Sequence, residues 1–491
     1  MSRRGARHNR KEPRVGGVYV RLAAACVAAA LAAGCTMAPP VAEAPRLPQG
    51  WSAPVPHGGE LAGLGAWWSQ FDDPLLVELI ESAQREHGTV ATAAARIAET
   101  RAALRGAGAS NWPQMGANAN LRRSEAVAGV PFSKMTTTSI GLDSSWEIDL
   151  FGYTRNRVAA AGARADAALS GWHEARVSLA AEVAATYAGL RSCEGLAQVY
   201  EQDSASQAKT AELTRLKVEA GFEAPSNGAL VDASAADAAS RREAQRTECA
   251  LLVKALVALT ALDESAMRSR LAAGTARLAQ PAGFAVAEVP AQWVAQRPDL
   301  ATLERELAAA AAEVGAAQAN LYPRLSITGS IAASSIRFAG GTTRGTDWSI
   351  APSLFAPLFD GGRRASEVDA ARARFDVARA EYVQRVRNAV REVEEALVRL
   401  DSATRREADA QRAARGYRAH FDAARSRWDI GVGSLLDLED ARRLSLAAEA
   451  GVINLRRERV AAWIALYKAL GGGWRDERID AMKIADTGNS P

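Results

Sequence analysis

The chain has 491 residues, few of them aromatic (6%), and a formal net charge of +4. The positive excess lies in the first 34 residues, which carry seven basic side chains against one acid; removing their +6 from +4 leaves about −2. This balance excludes nucleic acid as an expected partner. The low aromatic content also disfavours a large aromatic-rich enzyme core and suits closely packed helices.

The N-terminal segment is typical of a bacterial export signal. A basic stretch precedes the apolar run LAAACVAAALAA at residues 22–33, which is too short to span a bilayer as a helix. The run ends in LAAGC, which resembles a lipoprotein lipobox and implies covalent lipid on Cys35; an ordinary signal peptide with a chance cysteine is the alternative. Thr36 follows in place of an aspartate, which favours the outer membrane. We predict a signal peptide over 1–34 and a lipid-anchored extended tail over 35–73.

The remainder of the chain is a two-fold repeat. LFGYTR at residue 150 matches LFDGGRR at residue 358, and further matching segments keep an offset of 208 to 210 residues. Repeats of this kind indicate two copies of one architecture. We predict one repeat over 74–280, a second over 281–473 and a C-terminal tail over 474–491.

Each half contains a long stretch without proline, the strongest helix breaker. In the second half, apolar residues step by three and four as in a coiled-coil seam. These are Val383, Val386, Val390, Val393, Leu397 and Leu400. The first long helix of each half ends at a glycine, Gly221 or Gly431, as a helix C-terminus should. We predict long helical hairpins over 154–263 and 363–470.

Short alternating segments precede these hairpins. In SIGLDSSWEIDL, Ile140, Leu142 and Trp146 fall on one face, and polar or acidic residues fall on the other. Four such segments are predicted as strands, at about 114–126, 136–151, 323–336 and 346–359. A half-buried sheet would show the same alternation, but four segments behind an export signal favour strands of an outer-membrane barrel. The presence of strands also argues against a purely rod-like coiled coil.

Four strands cannot close a barrel around a channel, and an open sheet edge cannot persist in lipid. We therefore expect other copies of the chain to complete the sheet, and three copies would supply twelve strands. Pro113 and Pro323 stand where each half changes from helix to strand. The fold class predicted is mainly helical, with a membrane β-barrel portion of four strands per protomer.

Several segments together closely resemble the outer membrane factors, the TolC-like channels, and in particular their lipidated NodT-type efflux members. The segments are the lipobox, WWSQFDDPLLVELIESA, QRPDLATLERELAAAAAEVGAAQANLYPRLSITGS and LFDGGRR. With the repeat, the resemblance extends from Cys35 to about Gly473. It implies a homotrimer whose twelve-stranded barrel in the outer membrane continues as a twelve-helix tunnel in the periplasm.

The resemblance also implies a function. We expect an outer-membrane channel of a tripartite efflux system that conducts small molecules passively when docked to a periplasmic adaptor and an inner-membrane RND-type pump. The expected partners are therefore two further copies of the chain, that adaptor, that pump and outer-membrane lipids. The alternatives are an outlet for type I protein secretion and a non-conducting envelope scaffold. The substrate is not readable from the sequence.

Two acidic residues at the turn of the second hairpin are candidates for a periplasmic gate. Asp437 and Asp440 in GVGSLLDLEDA are three residues apart and so share a helical face. In a trimer they would form two rings of carboxylates, an arrangement that selects cations, and they match the aspartates of the family's closed constriction. The alternative is a solvated acidic first turn. In the first half Asp232 matches Asp440, but Ala229 stands in place of Asp437.

The two hairpin turns resemble the adaptor-contacting tips of the family, although a plain helix connection would use the same glycines. The residues concerned are Gly221, Phe222, Gly431, Val432 and Gly433.

Two cysteines remain in the exported core. Cys193 and Cys249 each lie 28 residues from Gly221, on opposite arms of the first hairpin. An antiparallel pair of helices would place them at one height, which allows a disulfide in an oxidising compartment. Two buried free thiols are the alternative.

No motif indicates catalysis. The five histidines are scattered without metal-ligand spacing, and neither a phosphate-binding loop nor a nucleophile elbow is present in the sequence. We predict a protein that is not an enzyme and carries no cofactor apart from the lipid on Cys35.

Overall fold

The structure, a computed structural model, describes part of the chain: Pro40 and residues 64–125, 134–281, 297–338 and 340–474. Four predicted features fall wholly or largely outside these residues, namely the signal peptide, Cys35 with its lipid, the extended tail over 35–73 as far as residue 63, and the C-terminal tail beyond residue 474.

Helices make up most of the described residues. After a 3-10 helix at Leu64–Phe71 the helices are α1 Pro74–Glu86, α2 Gly88–Ala109, α3 Tyr153–Glu219, α4 Pro225–Thr260, α5 Glu264–Ala272, α6 Pro298–Ala319, α7 Arg363–Asp429 and α8 Leu435–Ala469. The strands are β1 Gln114–Glu125, β2 Lys134–Ile148, β3 Arg324–Phe338 and β4 Gly341–Phe355. Each strand begins and ends within about five residues of the segment that the sequence predicted.

The four strands form one antiparallel sheet in the order β1-β2-β3-β4. The outer two strands, β1 and β4, each pair with one described neighbour only. The mainly helical fold with a four-stranded antiparallel sheet is therefore confirmed.

The two-fold repeat is visible in the helix lengths. The long helices α3 and α7 both have 67 residues, and α4 and α8 have 36 and 35. At 1.5 Å per residue α3 and α7 are each about 100 Å long. Helices of this length are stabilised by packing along a seam and not by intrinsic propensity.

The predicted seam of α7 is buried along most of its length. Val386, Val393, Leu397 and Leu400 are all buried, whereas Val398, on the opposite face, is 53% exposed. The three- and four-residue steps thus identified the packed side of the helix correctly.

The described residues divide into two compact units. One unit includes Arg101–Arg164 and Leu307–Val377, and so contains the whole sheet and the adjoining helix ends. Within it, α3 and α6 pack through small side chains, with Ala160, Ala309 and Ala312 buried against one another. Alanine allows the two helix backbones to approach closely, which accounts for its abundance in this stretch.

The other unit includes most of the helical hairpins and the largest apolar core. The WW of the segment WWSQFDD is central to that core: the ring centroids of Trp67 and Trp68 lie 5.6 Å and 4.5 Å from that of Tyr467. Asp73 caps α1 by accepting the backbone N–H of Leu75 at 3.1 Å, and its other carboxylate oxygen accepts the Tyr187 hydroxyl at 2.7 Å. The segment is thus an anchor between α1, α3 and α8.

Among the residues that the structure describes, no helix combines the length and apolar character needed to cross a membrane.

Candidate functional site

The sheet has one apolar face and one polar face. Leu142, Ile331 and Trp348 lie side by side in one row of β2, β3 and β4, and their exposed fractions are 49%, 51% and 73%. Large apolar side chains on a continuous exposed face require an apolar environment or a partner.

The opposite face carries short polar and acidic side chains. Asn118 donates a hydrogen bond to Asp143, and the Ser334 hydroxyl donates to the Asp347 carboxylate at 3.0 Å. The hydroxyl oxygens of Ser330 and Ser349 lie 2.8 Å apart. Alternation of this kind separates a lipid-compatible face from a wet one.

Both hairpin turns end their long helix in the same way. Gly221 and Gly431 have φ of +75° and +81°, in the left-handed region that favours glycine. The N–H of Phe222 donates to the Lys217 carbonyl at 2.8 Å, and the N–H of Val432 donates to the Arg427 carbonyl at 3.0 Å. These are Schellman caps, so the two turns are structural equivalents.

The turns present exposed apolar side chains. Phe222 is 84% exposed and Val432 is 72% exposed. Gly433 could not be replaced without rearrangement, because a Cβ there would lie 2.9 Å from the Trp428 nitrogen. All five residues predicted for the tips therefore belong to two tight, fixed turns.

The predicted gate residues lie in the first turns of α8. Ser434 caps the helix, with its hydroxyl accepting the N–H of Asp437 at 3.0 Å. Leu435 and Leu438 are buried, which fixes the orientation of the helix and leaves Asp437 and Asp440 exposed on a shared face. Asp440 also forms an ion pair with Arg443 at 3.0 Å. In the first half, the matching Asp232 pairs with Arg215 at 3.5 Å.

A buried polar cluster lies behind these aspartates. The side chain of Arg442 is 5% exposed; it donates to the Thr210 hydroxyl at 2.8 Å and lies 3.6 Å from the Glu439 carboxylate. Asp203, also buried, lies 3.5 Å from Arg241. The cluster therefore joins α3, α4 and α8 through charged groups, in a stretch of α3 where Ser204, Gln207 and Thr214 are also buried.

Both carboxyl groups of this cluster have a raised pKa. Burial raises the pKa of Glu439, and the charge of Arg442 offsets this only in part, while Asp203 adds to it. Burial likewise raises the pKa of Asp203 despite Arg442 and Arg241. Burial lowers the pKa of Arg442 itself. In both carboxyl groups, therefore, the cost of burial outweighs the attraction of the neighbouring arginines.

A second buried network has the opposite electrostatic balance. Arg297 binds Asp299 in two hydrogen bonds of 2.9 and 2.7 Å, and Arg385 binds the same carboxylate at 2.7 Å. Arg297 also reaches Glu392 at 2.7 Å and the carbonyl of Ala469 at 3.1 Å. Burial alone would raise the pKa of Asp299, but the two arginines lower it below its ordinary value. This network joins the start of α6 to α7 and the end of α8.

The two core cysteines face each other across α3 and α4. Their sulfur atoms are bonded in the structure, and the Cα atoms of Cys193 and Cys249 lie 5.6 Å apart. The bond joins the two arms of the first hairpin across 56 residues of sequence.

Sequence reasoning found the turns and the exposed acids but missed both buried networks. A signal for one of them was present: Leu435, Leu438, Arg442 and Ser445 follow the spacing of a helical seam, so an arginine occupies a core position. For the other, Arg297 and Asp299 lie in the segment QRPDLATLERELAAAAAEVGAAQANLYPRLSITGS, which carries the family resemblance but does not indicate Arg385 as their partner.

The sheet with one apolar and one polar face and the paired long helical hairpins together define an outer-membrane channel architecture. The comparison with protein-family models agrees. The model described as "Outer membrane efflux protein" matches residues 79–264 and 289–472. The chain belongs to this family, which consists of outer-membrane channel proteins of efflux systems and not of enzymes, and which carries no cofactor. It is located in the outer membrane and extends into the periplasm.

Individual relatives cover nearly the whole chain. "Nodulation protein T" of Rhizobium leguminosarum bv. trifolii is 30% identical, over 90% of this chain and 96% of the relative. "Solvent efflux pump outer membrane protein SrpC" of Pseudomonas putida is 28% identical, over 82% of this chain and 86% of the relative. The solved outer-membrane channel OprN is similar with a TM-score of 0.78 and 27% identity, over 89% of this chain and all of OprN.

Proposed function

We propose that the chain forms a homotrimeric duct through which small toxic molecules leave the periplasm. The duct would work with a periplasmic adaptor and an inner-membrane RND-type pump. The observation that carries the proposal is the four-stranded sheet with one exposed apolar face, one exposed polar face and two edge strands that each pair with a described neighbour on one side only.

That sheet requires completion by further copies. In hydrocarbon, each unpaired backbone group costs several kcal/mol, so the edges of β1 and β4 must be paired. Three copies of four strands give a closed barrel of twelve, with the apolar face toward lipid and the face of Asp143 and Asp347 toward an aqueous lumen.

Asp437 and Asp440 are proposed as the gate of this duct. Their exposure in one protomer leaves them available to face the same residues of two other copies across a threefold axis. Like charges in such rings favour cations and narrow the passage for other solutes. Arg443, which lies 3.0 Å from Asp440 on the same helix, would reduce the net negative charge of that ring.

The two tight turns are proposed as the adaptor-docking tips. Phe222 and Val432 offer apolar anchors on rigid backbones, which is what a docking surface requires. A covalent lipid on Cys35 is proposed as an additional anchor of the protein to the outer membrane.

The nearest alternatives are an outlet for protein secretion and a non-conducting scaffold. Relatives named for the efflux of solvents and cations favour the export of small molecules over secretion. A scaffold would not need a face of serines, asparagines and aspartates, which suits a wet lumen.

The test is the conductance of the purified protein in planar lipid bilayers. We expect a low, cation-preferring conductance for the wild type. The double substitution Asp437→Ala and Asp440→Ala should raise the conductance severalfold and weaken the cation preference, because both carboxylate rings are removed.

Asp232→Ala is the matched control, because this residue occupies the equivalent place in the first hairpin and forms a comparable ion pair. It should leave conductance near that of the wild type. Unchanged conductance and cation preference in the double variant would contradict the gate. No conductance in any variant would contradict the duct and favour the scaffold.

A further inference from the structure

Three arginines lie together on the apolar face of the sheet, at one end. The register places Arg123 of β1 and Arg337 of β3 in one row, since both pair with Thr136 of the strand between them. Arg344 of β4 pairs with Ser335, which lies two residues before Arg337 on β3 and therefore on the same face, one row nearer the middle of the sheet. With strands about 4.8 Å apart, the three Cα positions fall within roughly 15 Å of one another.

These side chains belong to the apolar face by the alternation of each strand. Arg344 lies four residues before Trp348, and Arg337 lies six residues after Ile331, so both point to the side that those apolar residues occupy. Arg123 is one row beyond Leu121 on that side. All three arginines are exposed.

The three arginines have no acidic partner in the part of the chain that the structure describes. Two other charged residues lie at this end of the strands, Lys134 and Glu125. They form an ion pair with each other, with 3.7 Å between the charged groups. By contrast, Arg324, at the opposite end of the sheet, lies 3.8 Å from Glu147. Among the described residues, the positive charge of the three arginines is therefore uncompensated, whereas Arg324 at the other end of the strands is paired.

The position of the patch in the membrane follows from the connections of the strands. The strand ends near Arg324 and Ile148 connect to helices, and the chain extends into the periplasm. The opposite strand ends, at Glu125, Lys134, Phe338 and Gly341, would face the cell exterior in the proposed barrel. From the row of Ile148 to the row of Thr138 the strand rises about 33 Å, which at a tilt near 45° gives roughly the 25 Å apolar band of a barrel. The arginines lie at the outer boundary of that band.

We infer that Arg123, Arg337 and Arg344 form a binding site for the phosphate groups of the anionic glycolipid of the outer leaflet. This inference rests on the proposed barrel, which turns the apolar face toward lipid. Guanidinium groups bind phosphate through two parallel hydrogen bonds. Because a guanidinium is more weakly hydrated than an ammonium group, it loses less solvation when it binds a phosphate at a membrane boundary. The site would fix the depth of the barrel by holding the head group directly above the apolar rows.

The test uses the full-length protein in detergent micelles and a fluorescent bisphosphorylated lipid A as the probe, with binding followed by anisotropy. We expect the triple substitution Arg123→Gln, Arg337→Gln and Arg344→Gln to weaken binding on the order of 100-fold, since each basic residue near an anionic lipid surface contributes a factor of about five. The triple Arg→Lys variant should retain part of the affinity. Lipid A without phosphates should bind weakly and equally to all variants.

Arg122→Gln is the matched control, because Arg122 is the neighbour of Arg123 but points to the polar face. It should bind the probe as the wild type does. Equal binding of phosphorylated and phosphate-free lipid, or wild-type affinity in the triple Gln variant, would overturn the inference. So would displacement of the probe by millimolar inorganic phosphate alone, which would indicate a site for the free anion. Conductance of the same preparations, measured in parallel, shows whether a negative result concerns the lipid site or the duct itself.

Discussion

At the scale of single residues, the two buried charge networks differ in how closely the arginines approach the carboxylates. Asp299 is held between Arg297 and Arg385, so its charged form is stabilised and its pKa is lowered. Asp203 lies 3.5 Å from Arg241 and Glu439 lies 3.6 Å from Arg442, and at these longer distances burial prevails and raises the pKa of both carboxyl groups. The same residue type therefore contributes to stability in opposite pH ranges.

Asp299→Asn should destabilise the protein at neutral pH and do so less in acid. A group with a lowered pKa stabilises the fold above its ordinary pKa of about 3.8, and this contribution disappears as pH falls through the lowered value. Removing one partner of a buried charge network costs about 3 kcal/mol. Thermal unfolding of the detergent-extracted protein by circular dichroism should show a lower melting temperature at pH 7, with the gap narrowing toward pH 3.

Glu439→Gln is the contrasting control in the same measurement. A raised pKa gives stability that is present below the ordinary value of 4.5 and is lost as pH rises through the folded value. The free energy of unfolding of the Gln variant should therefore exceed that of the wild type by up to about 1 kcal/mol at pH 7. At pH 4 the two proteins should be equally stable. If both variants showed the same pH trend, the electrostatic difference between the two networks would be wrong.

At the scale of elements, the sequence pattern was informative wherever one face of a helix or strand repeats with a fixed period. The sequence predicts that Ile140, Leu142 and Trp146 share one face of their strand, because apolar and polar residues alternate along it. The packed face of α7 is predicted in the same way, from apolar residues at steps of three and four. What the pattern could not supply is pairing over long distances: Arg442 binds Thr210, which is 232 residues away in sequence. Local periodicity holds no information on which helices become neighbours.

The first hairpin provides an element-scale prediction, the disulfide between its arms. We expect the mature protein to carry the Cys193–Cys249 bond, which should stabilise it by about 4 kcal/mol through the closure of a loop of this length. Alkylation of the unfolded protein without reductant, followed by intact mass analysis, should leave both cysteines unlabelled, and reductant should expose them. Cys193→Ser with Cys249→Ser should lower the melting temperature. Two alkylated thiols without reductant would mean that the cysteines are free.

At the scale of the whole molecule, the assignment of the sheet faces determines how copies assemble in the membrane. Trp348 lies near the middle of the apolar face and Ser349 follows it on the polar face. A lysine at the lipid-facing middle of a barrel costs about 2 to 4 kcal/mol, whereas a lumen-facing substitution changes mainly selectivity.

We therefore expect Trp348→Lys to reduce strongly the amount of assembled protein in the outer membrane, while Ser349→Lys assembles like the wild type. Single-particle electron microscopy of detergent extracts measures this directly, as the yield of hollow particles with threefold symmetry. Equal yields for the two variants would mean that the lipid-facing side has been assigned wrongly. Monomers or solid particles from the wild type would instead contradict the trimer itself. Since both substitutions add the same charge at adjacent positions, only the direction of the side chain distinguishes them, and the difference in yield measures which face meets the lipid.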